Sequence, residues 1–77
     1  NNITVRDLTL TNNYDGVLFV NTTNSSIINV TASSNSYGIH LKALSNNNTL
    51  TDNNASYNEH GIYIGHSSNN TLTNNIA

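Results

Sequence analysis

The sequence predicts an all-β chain wound as a right-handed, single-stranded parallel β-helix. About three and a half coils, each of roughly 22–23 residues, fill residues 1–77, read as a single repeat segment. Three observations carry this. Gly16, Gly38 and Gly61 recur at nearly equal intervals, and the columns on either side of them align. The aligned columns are apolar: Val5, Ile27, Leu50 and Leu72 in one, Leu10, Ala32, Ala55 and Ala77 in another. After each glycine the first and third residues are apolar and the second varies, in Gly-Val-Leu-Phe-Val, Gly-Ile-His-Leu-Lys and Gly-Ile-Tyr-Ile-Gly. A fixed period in the twenties marks a solenoid with one repeat per layer. Period-two alternation marks a strand with one buried face.

The elements follow in order. Ile3, Val5, Leu8 and Leu10 suggest two short strands ahead of the glycine strand in the first coil, and Ile27, Val30 and Ala32 suggest the same in the second. A layer of about 22 residues holds roughly three strands of 4–5 residues with their turns. Helical repeats would need long runs of good helix formers. Here asparagine, serine and threonine make up 37 of 77 residues, and their side chains compete with helical hydrogen bonds. Such a composition alone suggests disorder, but the register of the apolar residues argues for an ordered object with polar turns.

The columns define the structural sites. Val17, Ile39 and Ile62 form one inward column, and Phe19, Leu41 and Ile64 another. Asn13, Asn35 and Asn58 form a polar column, expected to be a ladder of side-chain amides, each carbonyl accepting from the next amide. Gly16, Gly38 and Gly61 are expected to take a backbone shape closed to other residues and to bend the chain into the next strand. In one column Leu8 and Val30 give way to Asn53 and Asn75; either the coil section shifts there or those asparagines join a buried ladder.

Charged residues are 8% of the chain and the net charge is -2. With no basic stripe, nucleic acid is not an expected partner. No apolar run is long enough to span a bilayer. Without cysteine there is neither a disulfide framework nor a thiolate metal site.

The stretch from Asn35 through Asn-x-x-Gly-Ile-x-Leu to Ser-x-Asn-Asn-x-Leu at 45–50 resembles the repeats of right-handed parallel β-helix proteins, and the NosD-like type most closely. The resemblance covers almost the whole chain. It implies the fold and says less about function, because the repeat serves polysaccharide lyases, periplasmic proteins, adhesins and archaeal surface proteins. The cysteine-free, asparagine-rich version looks most like a surface-layer or other cell-surface protein. The expectation is therefore a structural, non-catalytic extracellular module, one segment of a longer solenoid or assembly, with neighbouring coils or chains as partners and no cofactor. The alternative is the non-catalytic stretch of a carbohydrate-active enzyme or sugar-binding β-helix.

Chemistry-bearing residues are sparse. Asn-x-(Ser/Thr) occurs at Asn2, Asn21, Asn24, Asn29, Asn47, Asn54 and Asn69, four of them in one column, making glycans potential partners. Neighbours in that column lie only about 4.8 Å apart, less than the width of a sugar chain. Asp7 and Asp52 share a column with Asn29 and Asn74 and read as a solvated turn. Arg6 and Lys42 fall in other columns, and no catalytic group assembles. His40, His60 and His66 share no column and are read as solvent-facing. NosD-like proteins carry a copper-binding label, but there is no Met or Cys to select copper. Leu18, His40 and Tyr63, with Val20 and Lys42, give an outer strip suited to stacking on sugar or packing on a neighbour. Thr-Leu-Thr at 9–11, 49–51 and 71–73 is an interrupted array.

Overall fold

The computed structural model describes residues 2–77. Every strand is parallel to its neighbours. The elements are β1 (Thr4–Arg6), β2 (Thr9–Thr11), β3 (Asp15–Val20), β4 (Ser26–Ile28), β5 (Thr31–Ser33), β6 (Tyr37–Lys42), β7 (Thr49–Thr51), β8 (His60–Ile64) and β9 (Thr71–Thr73). They form three faces, β1-β4-β7-β9, β2-β5 and β3-β6-β8. Single bridges from Thr31 to Asn54 and from Asn54 to Ile76 carry the second face through the later coils. This is a β-solenoid of about three turns, with no helix among the described residues.

The register is in phase from coil to coil. Val5 pairs with Ile27, Ile27 with Leu50, and Leu50 with Leu72. Val17 pairs with Ile39 and Ile39 with Ile62, and Phe19, Leu41 and Ile64 pair likewise. Parallel in-register stacking sets like side chains on one another at about 4.8 Å, so each aliphatic column is a continuous strip of core. Ile27, Ala32, Ile39, Leu41 and Leu50 are wholly buried, with Val17, Phe19 and Val30 around them.

The corners depart from expectation. No glycine has a positive φ. Gly16, Gly38 and Gly61 lie inside β3, β6 and β8, and the reason for glycine is space. A Cβ on Gly16 would sit 2.5 Å from the Gly38 carbonyl oxygen and 2.8 Å from the Ala32 Cβ, and one on Gly38 would meet Gly61 and Asn58 in the same way.

The bends fall instead on residues in the left-handed region, in four columns: Asn2, Asn24, Asn47, Asn69; Asp7, Asn29, Asp52, Asn74; Asn12, Ser34, Tyr57; and Asn21, Ala43 with Leu44, His66. Most are Asn or Asp, the non-glycine residues that tolerate this shape best. Ala43 and Leu44 together occupy a corner that Asn21 and His66 each fill alone. That extra residue lengthens the second coil, so the step from Asn24 to Asn47 is longer than the steps from Asn2 to Asn24 and from Asn47 to Asn69.

Candidate functional site

Immediately after most left-handed corner residues comes a polar side chain that joins the coils; Asn2, Asp7 and Asn29 are followed instead by Ile3, Leu8 and Val30. Asn35 Oδ1 accepts the Asn13 N–H at 2.8 Å, and Asn35 Nδ2 donates to the Leu10 carbonyl at 3.1 Å. Asn58 repeats this on Asn35 N–H and the Ala32 carbonyl, at 2.9 and 2.7 Å. The Asn13–Asn35–Asn58 column is thus a ladder of a different kind from the one expected. Its amides bond to the backbone of the preceding coil rather than to one another. Turn backbone splays out of the sheet ladder, and a side-chain carboxamide, with one acceptor and one donor side, can satisfy both freed backbone groups.

The rule holds at the other corners. Asn48 accepts from the Ser25 N–H and donates to the Thr22 carbonyl, both at 2.9 Å. Asn70 does the same for Asn48 N–H and the Ser45 carbonyl. Asn53 serves Val30 and Ile27, and Asn75 serves Asn53 and Leu50. Ser45 accepts from the Thr22 N–H at 3.1 Å and donates to the Phe19 carbonyl at 3.2 Å. In every case the carbonyl lies three residues before the N–H. This settles the column that changes from Leu8 and Val30 to Asn53 and Asn75: the asparagines join a buried ladder. The sequence reading misses two further ladders, Ser25–Asn48–Asn70 and Thr22–Ser45–Ser67. Their recurrence at the coil period was the available signal.

The outer face of β3-β6-β8 carries the densest cluster of functional groups. Alternation places His40 outward, yet only 8% of it is exposed. Its Nδ1 lies 3.1 Å from Asp15 Oδ1 in the coil below, and its ring stacks on Tyr37 at 4.4 Å. His60, from the coil above, stacks on Tyr37 at 4.9 Å. Tyr63 closes over His40 edge-on at 5.1 Å, and Tyr14 meets Tyr37 edge-on at 5.6 Å. His40 is therefore a covered, bonded group rather than a solvent-facing one. Partial burial raises the Tyr37 hydroxyl above its ordinary pKa, and Tyr14, Tyr63, Glu59 and Asp15 add to the effect. Tyr37 and Tyr63 cover His40, whereas Tyr14, Tyr63 and His60 remain exposed to solvent.

The remaining groups lie apart. Asp7 Oδ1 accepts from Asn29 Nδ2 at 2.8 Å, and its other oxygen meets Arg6 at 2.9 Å. The Asn29 bond, followed by Arg6, holds the Asp7 carboxyl below the usual carboxylate range. Asn2, Asn21, Asn24, Asn29, Asn47 and Asn69 are exposed, and Asn54 is half-buried with its Oδ1 taken by the Ser56 hydroxyl at 2.6 Å. Thr4, Ser26, Thr49 and Thr71 share one outward column, whereas Thr9 and Thr11 lie on another face.

Coils in register, joined at most corners by a side chain on the backbone of the preceding coil, define a parallel β-helix repeat protein. The chain belongs to the NosD family: the family described as "Periplasmic copper-binding protein (NosD)" matches residues 1–77. No curated protein and no solved structure matches the chain.

The copper in that description can be tested against the donors here. Copper(I) favours thiolate or thioether sulfur, and copper(II) takes a square of converging imidazole and oxygen donors. This chain has no Cys or Met, and among the described residues no three His, Asp or Glu side chains converge. His40 Nδ1 is directed at Asp15, and His66 sits at a different corner. The donor set does not fit copper.

Proposed function

We propose that this chain is a structural, non-catalytic β-solenoid module of an extracytoplasmic protein, at the cell surface in a surface layer, sheath or filament, with neighbouring coils or chains as its partners. The observation that carries this reading is the corner ladder. Side chains that could have served binding or catalysis are committed to bonds between coils, at four corners of the winding. An all-parallel strand stack reinforced at its corners resists bending and local opening. The family's description places its members in the periplasm, which agrees with a location outside the cytoplasm, and the low charge suits a wall-like surface.

The test is localisation of the protein in its source cells. Antibody labelling of intact, unpermeabilised cells supports a surface wall. Labelling only after permeabilisation moves it to the periplasm, and recovery in the cytosolic fraction overturns the reading.

A second reading, the non-catalytic stretch of a carbohydrate-active or sugar-binding protein, draws on Tyr14 and Tyr63, which are 70% and 46% exposed. Retention on immobilised polysaccharide that Tyr14→Ala and Tyr63→Ala together abolish would favour it.

A further inference from the structure

The winding sorts five of the seven Asn-x-(Ser/Thr) motifs, and from that sorting we propose a modification pattern: the exposed corner residues Asn24, Asn47 and Asn69 accept N-linked glycans, with at most one of any two neighbours modified on the same molecule. This rests on the extracytoplasmic reading, since the donor is a lipid-linked oligosaccharide pyrophosphate used outside the cytoplasm. In the transfer, the asparagine Nδ2 forms a bond to the anomeric carbon. The bond from that carbon to the pyrophosphate oxygen breaks, Nδ2 gives up a proton, and the lipid pyrophosphate leaves.

Each step of the selection is geometric. Glycosylation needs a reachable Nδ2 and an Asn segment that can enter the enzyme. Asn24, Asn47 and Asn69 lie at corners with φ of 55, 60 and 57°, exposed and outside the strands. Asn54 fails on burial, and its side-chain oxygen is already held by the Ser56 N–H and hydroxyl. Asn29 fails because the nitrogen that would react donates to Asp7 Oδ1 at 2.8 Å, beside a carboxylate. In the Asn24 column the acceptor hydroxyls Ser26, Thr49 and Thr71 form their own register along β4, β7 and β9. The same register sets neighbouring asparagines about 4.8 Å apart. A glycan on Asn47 therefore covers Asn24 and Asn69, and modification of the column must skip coils.

The folded chain should be incubated with a purified single-subunit oligosaccharyltransferase and a lipid-linked oligosaccharide, then read by intact mass and glycopeptide mapping. This assay is independent of where the cell sends the protein, so its failure is separable from failure of the localisation test. The expected result is glycan at Asn24, Asn47 and Asn69, none at Asn54 or Asn29, and no molecule modified at both Asn24 and Asn47. The variant Thr49→Val removes the Asn47 motif while keeping Asn47 at its corner and a β-branched residue in β7. It should raise Asn69 occupancy about 1.5-fold at saturation for three sites of equal reactivity, given the spacing of the column. Its unfolding midpoint checks that the fold is intact. The urea-unfolded chain should lose the exclusion between neighbours. Glycan on Asn24 and Asn47 together in folded protein, preferential use of Asn54, or no transfer at all overturns the proposal.

Discussion

Asn53 completes the backbone of Val30 from one coil away. Its Oδ1 accepts the Val30 N–H at 2.9 Å, and its Nδ2 donates at 3.0 Å to the Ile27 carbonyl three residues before. Both side chains are 1% exposed. One carboxamide thus replaces two sheet bonds where the strand direction changes. Asn53→Ala leaves two buried backbone groups without partners. Each such group costs about 1–3 kcal/mol, so we expect a loss of about 3 kcal/mol in urea unfolding. Asn74→Gly, at an exposed corner with φ 57°, should change stability by only a few tenths of a kcal/mol, about what glycine costs where the left-handed shape is already adopted.

The columns were legible because parallel in-register stacking turns a spatial contact into a sequence spacing: Val17, Ile39 and Ile62 meet because they recur. The corners were harder to read. Asn47-Asn48 and Asn74-Asn75 each pair an outward left-handed residue with an inward ladder residue, and composition cannot tell the two roles apart. Glycine misled for a physical reason. Its usual signal is positive φ, whereas Gly16 and Gly38 serve close approach of backbone and side chains. His40 misled because alternation counts strand faces and takes no account of Tyr37 and Tyr63, from its own and the next coil, folding over the outer face.

The corner at Ala43 and Leu44 is strained. Their φ values are 56 and 64°, and Leu44 is 64% exposed. The left-handed shape costs an ordinary residue about 1–2 kcal/mol, and asparagine less. Leu44→Asn should therefore stabilise the chain by about 0.5–1 kcal/mol, a rise in Tm of roughly 2–8 °C for a domain of this size. Thermal unfolding of the single variant checks it. No gain would mean that Leu44 makes a contact outweighing its backbone cost.

Two side chains set opposite limits on pH. Asp7 has a depressed pKa when folded, chiefly through Asn29 and then Arg6. Its contribution is present above the unfolded value, near 3.9, and is lost as pH falls through the lower folded value. Tyr37 is shifted up, by burial first and negative neighbours after. Its contribution is complete below the unfolded value, near 10, and is lost as pH rises through the higher folded value. Carboxyl NMR titration of Asn29→Gly should move the Asp7 midpoint upward, because the largest cause of its shift is gone. Tyr37→Phe should remove the last phenol to ionise in an alkaline absorbance titration.

Gly38 and Gly65 separate space from backbone shape as the reason for glycine. Neither has a positive φ. A Cβ at Gly38 would lie 2.5 Å from the Gly61 carbonyl oxygen, 2.6 Å from Asn58 Nδ2 and 3.0 Å from the Ala55 Cβ. The first contact is with backbone, and the second is with the ladder carboxamide that bonds the Ala32 and Ala55 carbonyls. Relief would have to push whole coils apart or break that corner. At Gly65 the nearest atom is the Tyr63 ring, at an ordinary 3.5 Å. Overpacking a close contact costs about 1–3 kcal/mol, occasionally more. Gly38→Ala should therefore lose about 2–3 kcal/mol, Gly38→Val more, and Gly65→Ala almost nothing. Equal costs at Gly38 and Gly65 in parallel urea titrations would sink the steric explanation and return the bend to backbone conformation.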